Sequence, residues 1–287
     1  MNISKIVQRL LIFFIGIPMV AALIIFLPQH NHLGLNIAVI VFSSVGAVEF
    51  ALMLKSKGFP VYAAEAAILG SLSSVAATLI ASFNTNTQIT QSLFIIGASW
   101  VLVSVIFLNK FKRDFSPVLS RLAAAFSVMI YPGLLLSWVI TMTSLKHSTI
   151  VILTFIFTVT ANDSLAWVTG MLFGKNNRGI FSVSPNKSIA GYVGGMTASI
   201  GVCIIMAYTF PNAFMPDQIT KLPSAILLGF FSGISVILGD LAESAIKRSS
   251  GFKDSGKLLP GRGGVLDSTD SIALTAPLFY VLYRFFF

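Results

Sequence analysis

Asp240, Glu243, Ser244 and Lys247 stand in a long apolar stretch, at offsets of three, four and seven residues from the first. Those offsets put the four side chains on one face of a helix. Asp163 sits in another apolar stretch, within Asn162-Asp163-Ser164. A charge at mid-helix in lipid costs about 2.5–3.5 kcal/mol on insertion scales, so it needs a partner, a metal or a wet cavity. Such a stripe must therefore look into a bundle. It serves either as working chemistry or as an Asp/Glu–Lys pair that glues helices. Glu49 and Glu65 carry less weight: Glu65 reads as a helix-end charge at the interface, and Glu49 reads equally as that or as a functional group.

The segment after the stripe holds the densest polar chemistry of the chain. Glycines at 251, 256, 261, 263 and 264 permit close backbone approach to an oxyanion, and Lys253, Lys257 and Arg262 supply cations. Asp267 and Asp270, spaced i, i+3 at the start of the last apolar stretch, can face one point. Carboxylates suit Mg²⁺, a hard cation that keeps substrate phosphates in its shell. Together with Asp240 they make a metal site for phosphoryl chemistry, which needs positioning and charge neutralisation without a protein nucleophile.

Other chemistries find no support. Neither a G-x-x-x-x-G-K-S/T nor a strand-borne G-x-G-x-x-G occurs, so a nucleotide site here belongs to another architecture. His30, His32 and His147 are scattered, His30 and His32 in an outside loop where they read as interfacial, and give no zinc spacing. Cys203 is the only cysteine and reads as a small buried hydrophobe.

The elements that must position these groups are membrane spans. Of 287 residues, 55% are hydrophobic and 10% charged, with a mean hydropathy of +0.88. A soluble domain carries about 25% charged residues, so most of this surface must face lipid. With about 20 apolar residues needed per crossing, nine spans are predicted. They run roughly over 6–28, 33–54, 61–83, 91–109, 119–142, 148–173, 189–210, 223–247 and 269–287. Lys5 and Arg9 precede the first, whose apolar run is longer than a signal-peptide core and lacks a small-x-small cleavage site.

Placing the N-terminus in the cytoplasm puts Lys5, Arg9, Lys55, Lys57, Lys110, Lys112, Arg113, Arg121, Lys175, Arg178, Lys187, Lys247, Arg248, Lys253, Lys257 and Arg262 inside. Only Lys146, Lys221 and Arg284, of 19 Lys and Arg, then fall outside. The expected fold is an all-α integral membrane protein, a polytopic bundle of about nine transmembrane helices. Residues 1–145 form a scaffold of about five helices, and 146–287 a catalytic region of about four helices with two cytoplasmic loops, roughly 174–188 and 248–268. The net charge of +9 is spread over loops without a basic helix, which excludes nucleic acid and favours anionic lipids and an anionic nucleotide.

The chain resembles the phosphatidate cytidylyltransferases, or CDP-diacylglycerol synthases. Ser244, Lys247, Arg248, Lys253, Asp254, Gly256, Pro260, Gly263, Gly264, Asp267 and Asp270 fall in register with that family's long C-terminal signature. Gly239-Asp240-Leu241-Ala242-Glu243-Ser244 looks like its G-D-L-x-E-S. Asp163, Ala166, Gly170, Phe173, Gly174 and Lys175 look like its D-x-x-A-x-x-x-G-x-x-F-G-K. Ser184, Pro185, Lys187, Ser188, Gly191, Gly194 and Gly195 match most of S-P-x-K-S/T-x-E-G-x-x-G-G, with weaker echoes at Arg9 and Glu49-Phe50. Three positions depart: Ala190 stands for a Glu, Arg262 for a His and Ser268 for an Arg.

The resemblance implies a Mg²⁺-dependent, mostly homodimeric enzyme of the bacterial inner membrane, with room for a second cation, its active site facing the cytoplasm. It would join CTP and phosphatidate into CDP-diacylglycerol and pyrophosphate. Asp240, Asp267 and Asp270 would hold the metal, with Lys247 beside them in the catalytic group. Lys187, Lys253 and Arg262 would neutralise phosphate charge. Asp163, Ser184, Ser188, Glu243, Ser244, Arg248, Asp254, Gly263 and Gly264 would contribute to substrate binding. Two other readings stand beside it. An ion-coupled transporter would use Asp163, Asp240 and Glu243 at mid-membrane, but would show polar, broken spans in both halves. A divergent CTP-using lipid enzyme would take another acceptor.

Overall fold

The computed structural model describes residues 12–59, 61–111, 115–116, 118–214, 218–259 and 261–287. Lys5, Arg9, Lys112, Arg113 and Pro260 lie outside them. The described chain is helical: α1 (Ile17–Phe26, entered through a π turn, Ile12–Gly16), α2 (Gln29–Lys55), α3 (Ala63–Phe83), α4 (Thr87–Phe111), α5 (Val118–Val128), α6 (Leu135–Met142), α7 (Ser148–Phe173), α8 (Ile189–Thr209), α9 (Gln218–Ser250) and α10 (Leu266–Phe286). α5 and α6 are one rod interrupted by a π turn, Met129–Leu134, that contains Pro132. Proline lacks an N–H and clashes with the carbonyl one turn back, so the ladder widens there. No strand forms among the described residues, only isolated bridges at Arg178–Ser188 and Leu259–Gly263.

Among the described residues six rods are long and apolar enough to cross a membrane: Gln29–Lys55, Ala63–Phe83, Val118–Met142, Ser148–Phe173, Ile189–Thr209 and Thr220–Ser250. A shorter apolar helix covers Phe14–Phe26. Large apolar side chains such as Trp100, Leu119, Phe173 and Ile205 lie exposed on the helices. Water would not tolerate that many, whereas lipid does.

The chain forms two compact units, one of residues 1–144 with 249–269, the other of 145–248 with 270–287. In the first, α2 and α3 pack closely around Ala47, Phe50, Met53, Ala66 and Leu69, with the Ser43 and Ser74 hydroxyls hydrogen-bonded at 3.0 Å. Small residues and buried hydroxyl pairs are the means by which helices associate where lipid is as apolar as their side chains. His30, Asn31 and His32 take left-handed backbone angles. Asn31 bonds the Ala81 carbonyl, and Asn36 bonds the Asn31 carbonyl at 3.0 Å and the Ser82 hydroxyl at 2.9 Å. His32 is consequently buried, while His30 stays exposed. Arg121, near the start of the predicted span 119–142, is buried on α5 and pairs with Glu65 at 3.2 Å.

In the second unit α7 and α8 pack through Asn162, whose amide donates to the Ser199 hydroxyl at 2.8 Å. Phe155 meets Phe279 with ring centroids 5.3 Å apart. Tyr283 bonds the Ala213 carbonyl. Cys203 is buried, as expected.

Candidate active site

The second unit gathers Asp163, Asp240, Glu243 and Asp270. The segment between α7 and α8 folds back on itself: Gly179 N–H donates to the Lys187 carbonyl at 3.1 Å and Ile189 N–H to that of Asn177 at 3.0 Å. Ser184 closes a tight turn, its carbonyl accepting from Lys187 N–H at 3.1 Å. Ser188 caps α8, its Oγ accepting from Gly191 N–H at 3.1 Å. This closure delivers Lys187 into an ion pair with Asp240 of α9. The Ser244 hydroxyl, one turn along α9, donates to Asp240 Oδ1 at 3.5 Å.

Glu243 is fully buried and pairs with Lys247 one turn on. Asp270, on α10, is 8% exposed. It accepts from Ser271 N–H at 2.6 Å and lies within electrostatic reach of Asp240, Glu243 and half-buried Asp163. Gly239 explains the close approach of α9 and α10 here: a Cβ on it would sit 2.8 Å from the Asp270 carbonyl oxygen. Tyr192, in the first turn of α8, also feels the Asp240 charge and packs edge-on against Phe181. Four carboxylates thus share one region with two lysines.

The first unit holds the Gly-rich segment. Asp267 Oδ2 accepts from the N–H groups of Ser255 and Gly264, both at 2.7 Å, and from the Ser255 hydroxyl at 2.9 Å. Glu49, on α2, is 7% exposed. It accepts from Val265 N–H at 3.0 Å, Leu266 N–H at 2.9 Å and the Ser255 hydroxyl at 2.9 Å. Gly256 and Gly264 pass so close to the Glu49 carboxylate that a Cβ on either would overlap it. Leu259 and Gly263 exchange backbone bonds of 2.8 and 2.9 Å, which closes the turn and sets Arg262 exposed at its tip. Arg248, Lys253, Asp254 and Lys257 are also exposed.

The expected site residues therefore fall into two sets. Asp163, Ser184, Lys187, Ser188, Asp240, Glu243, Ser244, Lys247, Arg248 and Asp270 belong to the second unit, and Lys253, Asp254, Arg262, Gly263, Gly264 and Asp267 to the first. Among the described residues no three carboxylates, imidazoles or thiols stand close enough to hold one ion. Magnesium needs no such cage, since one or two carboxylates suffice when substrate phosphates complete its shell. Hard oxygens in excess over lysines fit that ion. Sequence reading left Glu49 undecided and passed over Ser255 and Tyr192. An acidic residue inside an apolar helix was the available signal for Glu49; Ser255 gave none.

The profile of the cytidylyltransferase family matches residues 7–286, and the chain belongs to that family. It is similar to a phosphatidate cytidylyltransferase of Thermotoga maritima, 31% identical over 211 residues, covering 70% of this chain and 71% of the relative. One from Staphylococcus haemolyticus is 32% identical over 188 residues, 66% of this chain and 67% of the relative. One from Haemophilus influenzae is 37% identical over 139 residues, where the match spans 48% of this chain and about half, 47%, of the relative.

Proposed function

We propose that this chain is a phosphatidate cytidylyltransferase, joining CTP and phosphatidate into CDP-diacylglycerol and pyrophosphate. The observation that carries this reading is the gathering of Asp163, Asp240, Glu243 and Asp270 with Lys187 and Lys247, on the motif positions that the family's signature marks. A phosphatidate phosphate oxygen attacks the α-phosphorus of CTP. The bond from that phosphorus to the bridging β-oxygen breaks, and pyrophosphate leaves. The acceptor brings its own nucleophile, so the protein's task is orientation and charge neutralisation. Mg²⁺ held by Asp240 and Asp270, with substrate phosphates completing its shell, would supply electrostatic stabilisation of the reacting phosphates. Lys187, Lys253 and Arg262 meet the triphosphate charge, and Lys187 is released from Asp240 when phosphate competes for it. Asp163, Ser184, Ser188, Glu243, Ser244, Lys247, Arg248, Asp254, Gly263 and Gly264 shape the substrate sites around them.

The same reading places nine spans in a bacterial cell membrane, the N-terminus and both polar loops on the cytoplasmic side where CTP is found, and two copies in a homodimer. The topology is supported by the distribution of Lys and Arg along the sequence. The test uses membranes bearing the chain, cytidine-labelled CTP, Mg²⁺ and a panel of lipid acceptors. Lipid-soluble label with phosphatidate alone is expected. Label on another lipid in its place would assign a different acceptor, and none on any lipid would remove the enzymatic reading.

A further inference from the structure

We propose that Glu49 is a positioning residue for the CTP-binding loop, an inference that rests on reading residues 248–268 as part of the cytidylyl-transfer site. Glu49 belongs to α2, in the part of the sequence expected to serve as scaffold, yet its carboxylate bonds groups far along the sequence. Its bonds reach Ser255, Val265 and Leu266, from 206 to 217 residues away.

These are the groups on which loop geometry depends. α10 begins at Leu266, and the first N–H groups of a helix have no partner within it. Glu49 satisfies Leu266 and, just before it, Val265, while Asp267 N–H donates to the Ser255 hydroxyl at 3.2 Å. A carboxylate at a helix N-terminus also meets the positive end of its dipole. The helix that carries Asp267 and Asp270 is therefore capped jointly from α2 and from Ser255.

Ser255 links the cap to the chemistry. Its single hydroxyl proton is shared between Glu49 and Asp267, each at 2.9 Å, and its N–H also donates to Asp267. The glycines at 256 and 264 leave room for the Glu49 carboxylate. Glu49 thus fixes both ends of the segment 255–266, which presents Lys257 and Arg262. The replacement Glu49→Gln keeps size but turns one oxygen into a donor, facing N–H or O–H groups that also donate.

The test compares wild type with Glu49→Gln and Ser255→Ala, as full-length protein in lipid nanodiscs, by steady-state CMP transfer and by backbone hydrogen exchange without substrates. In Glu49→Gln the KM for CTP is expected to rise about tenfold or more, while that for phosphatidate stays within about twofold. Exchange should quicken in peptides covering 250–268 and stay unchanged in those covering 63–83. If Glu49→Gln does not fold, Ser255→Ala decides, with the same split expected at about threefold. Unchanged CTP KM with unchanged exchange, or equal rises in both KM values, would overturn the inference while the native activity stands. A wild-type chain that transfers no CMP fails the functional reading itself and withdraws the inference with it.

Discussion

Lys187 and Asp240 form an ion pair between the segment that precedes α8 and the middle of α9, each side chain 29% exposed. Partial exposure leaves both reachable by a substrate, unlike the fully buried Glu243 beside them. Lys187→Met and Asp240→Asn are each expected to lower kcat/KM by about 10²-fold or more, as removal of a group aimed at developing phosphate charge does. Because the two residues touch, the double replacement should lose less than the product of the single losses. Multiplicative losses, measured in the transfer assay, would show that the pair is not a working unit.

The Glu243–Lys247 pair should matter for stability as much as for turnover. Removing one partner of a buried ion pair commonly costs about 3–5 kcal/mol, since the other charge is left unpaired. Lys247→Met is therefore expected to lower the thermal midpoint in detergent, and Glu243→Gln with Lys247→Met to recover much of it. A midpoint unmoved by Lys247→Met would contradict a paired, buried Glu243.

Much of this arrangement is legible in sequence, and what is not has a physical cause. The stripe of Asp240, Glu243, Ser244 and Lys247 announces itself by helical period, and the apolar runs announce the rods. The last rod is the least legible as a span, because it opens on Asp267 and Asp270 and closes near Arg284. Helix α9 extends past both predicted ends, from Gln218 to Ser250, with Pro223 in its second turn where the ladder still tolerates it poorly but continues. The role of Glu49 is illegible because its partners lie over 200 residues away and two of them are backbone N–H groups, which leave no mark in a sequence. His32 is similar: its burial follows from a left-handed turn held by the Asn31–Ala81 bond.

Two glycines should respond in opposite directions to the same added methyl group. Gly264→Ala drives a Cβ into Glu49 and Ser255, and overpacking of this kind costs about 1–3 kcal/mol. Gly201, in α8, has nothing within 4 Å of a built Cβ and a helical backbone. Gly201→Ala is expected to be neutral or stabilising by about 0.5–1 kcal/mol. Thermal unfolding of both variants checks this, and equal losses would contradict the packing at Gly264.

Asp270→Asn keeps size and removes one carboxylate from a cluster that exceeds its lysines. Turnover should fall by about 10³-fold or more with the protein still folded in the membrane, as loss of a phosphate-neutralising centre does. Chelation of Mg²⁺ from the native protein should do the same, reversibly. Near-native rates in Asp270→Asn at limiting Mg²⁺ would take that residue out of the metal's shell.

The central claim is that the α-phosphorus of CTP passes to phosphatidate. Two parallel reactions, one with CTP labelled at the α-phosphorus and one at the γ-phosphorus, test it most directly. The account predicts α-label in the lipid and γ-label in water-soluble pyrophosphate, both lost in Asp270→Asn. γ-Label in the lipid would mean simple phosphoryl transfer and would contradict the account, as would α-label that never leaves the aqueous phase.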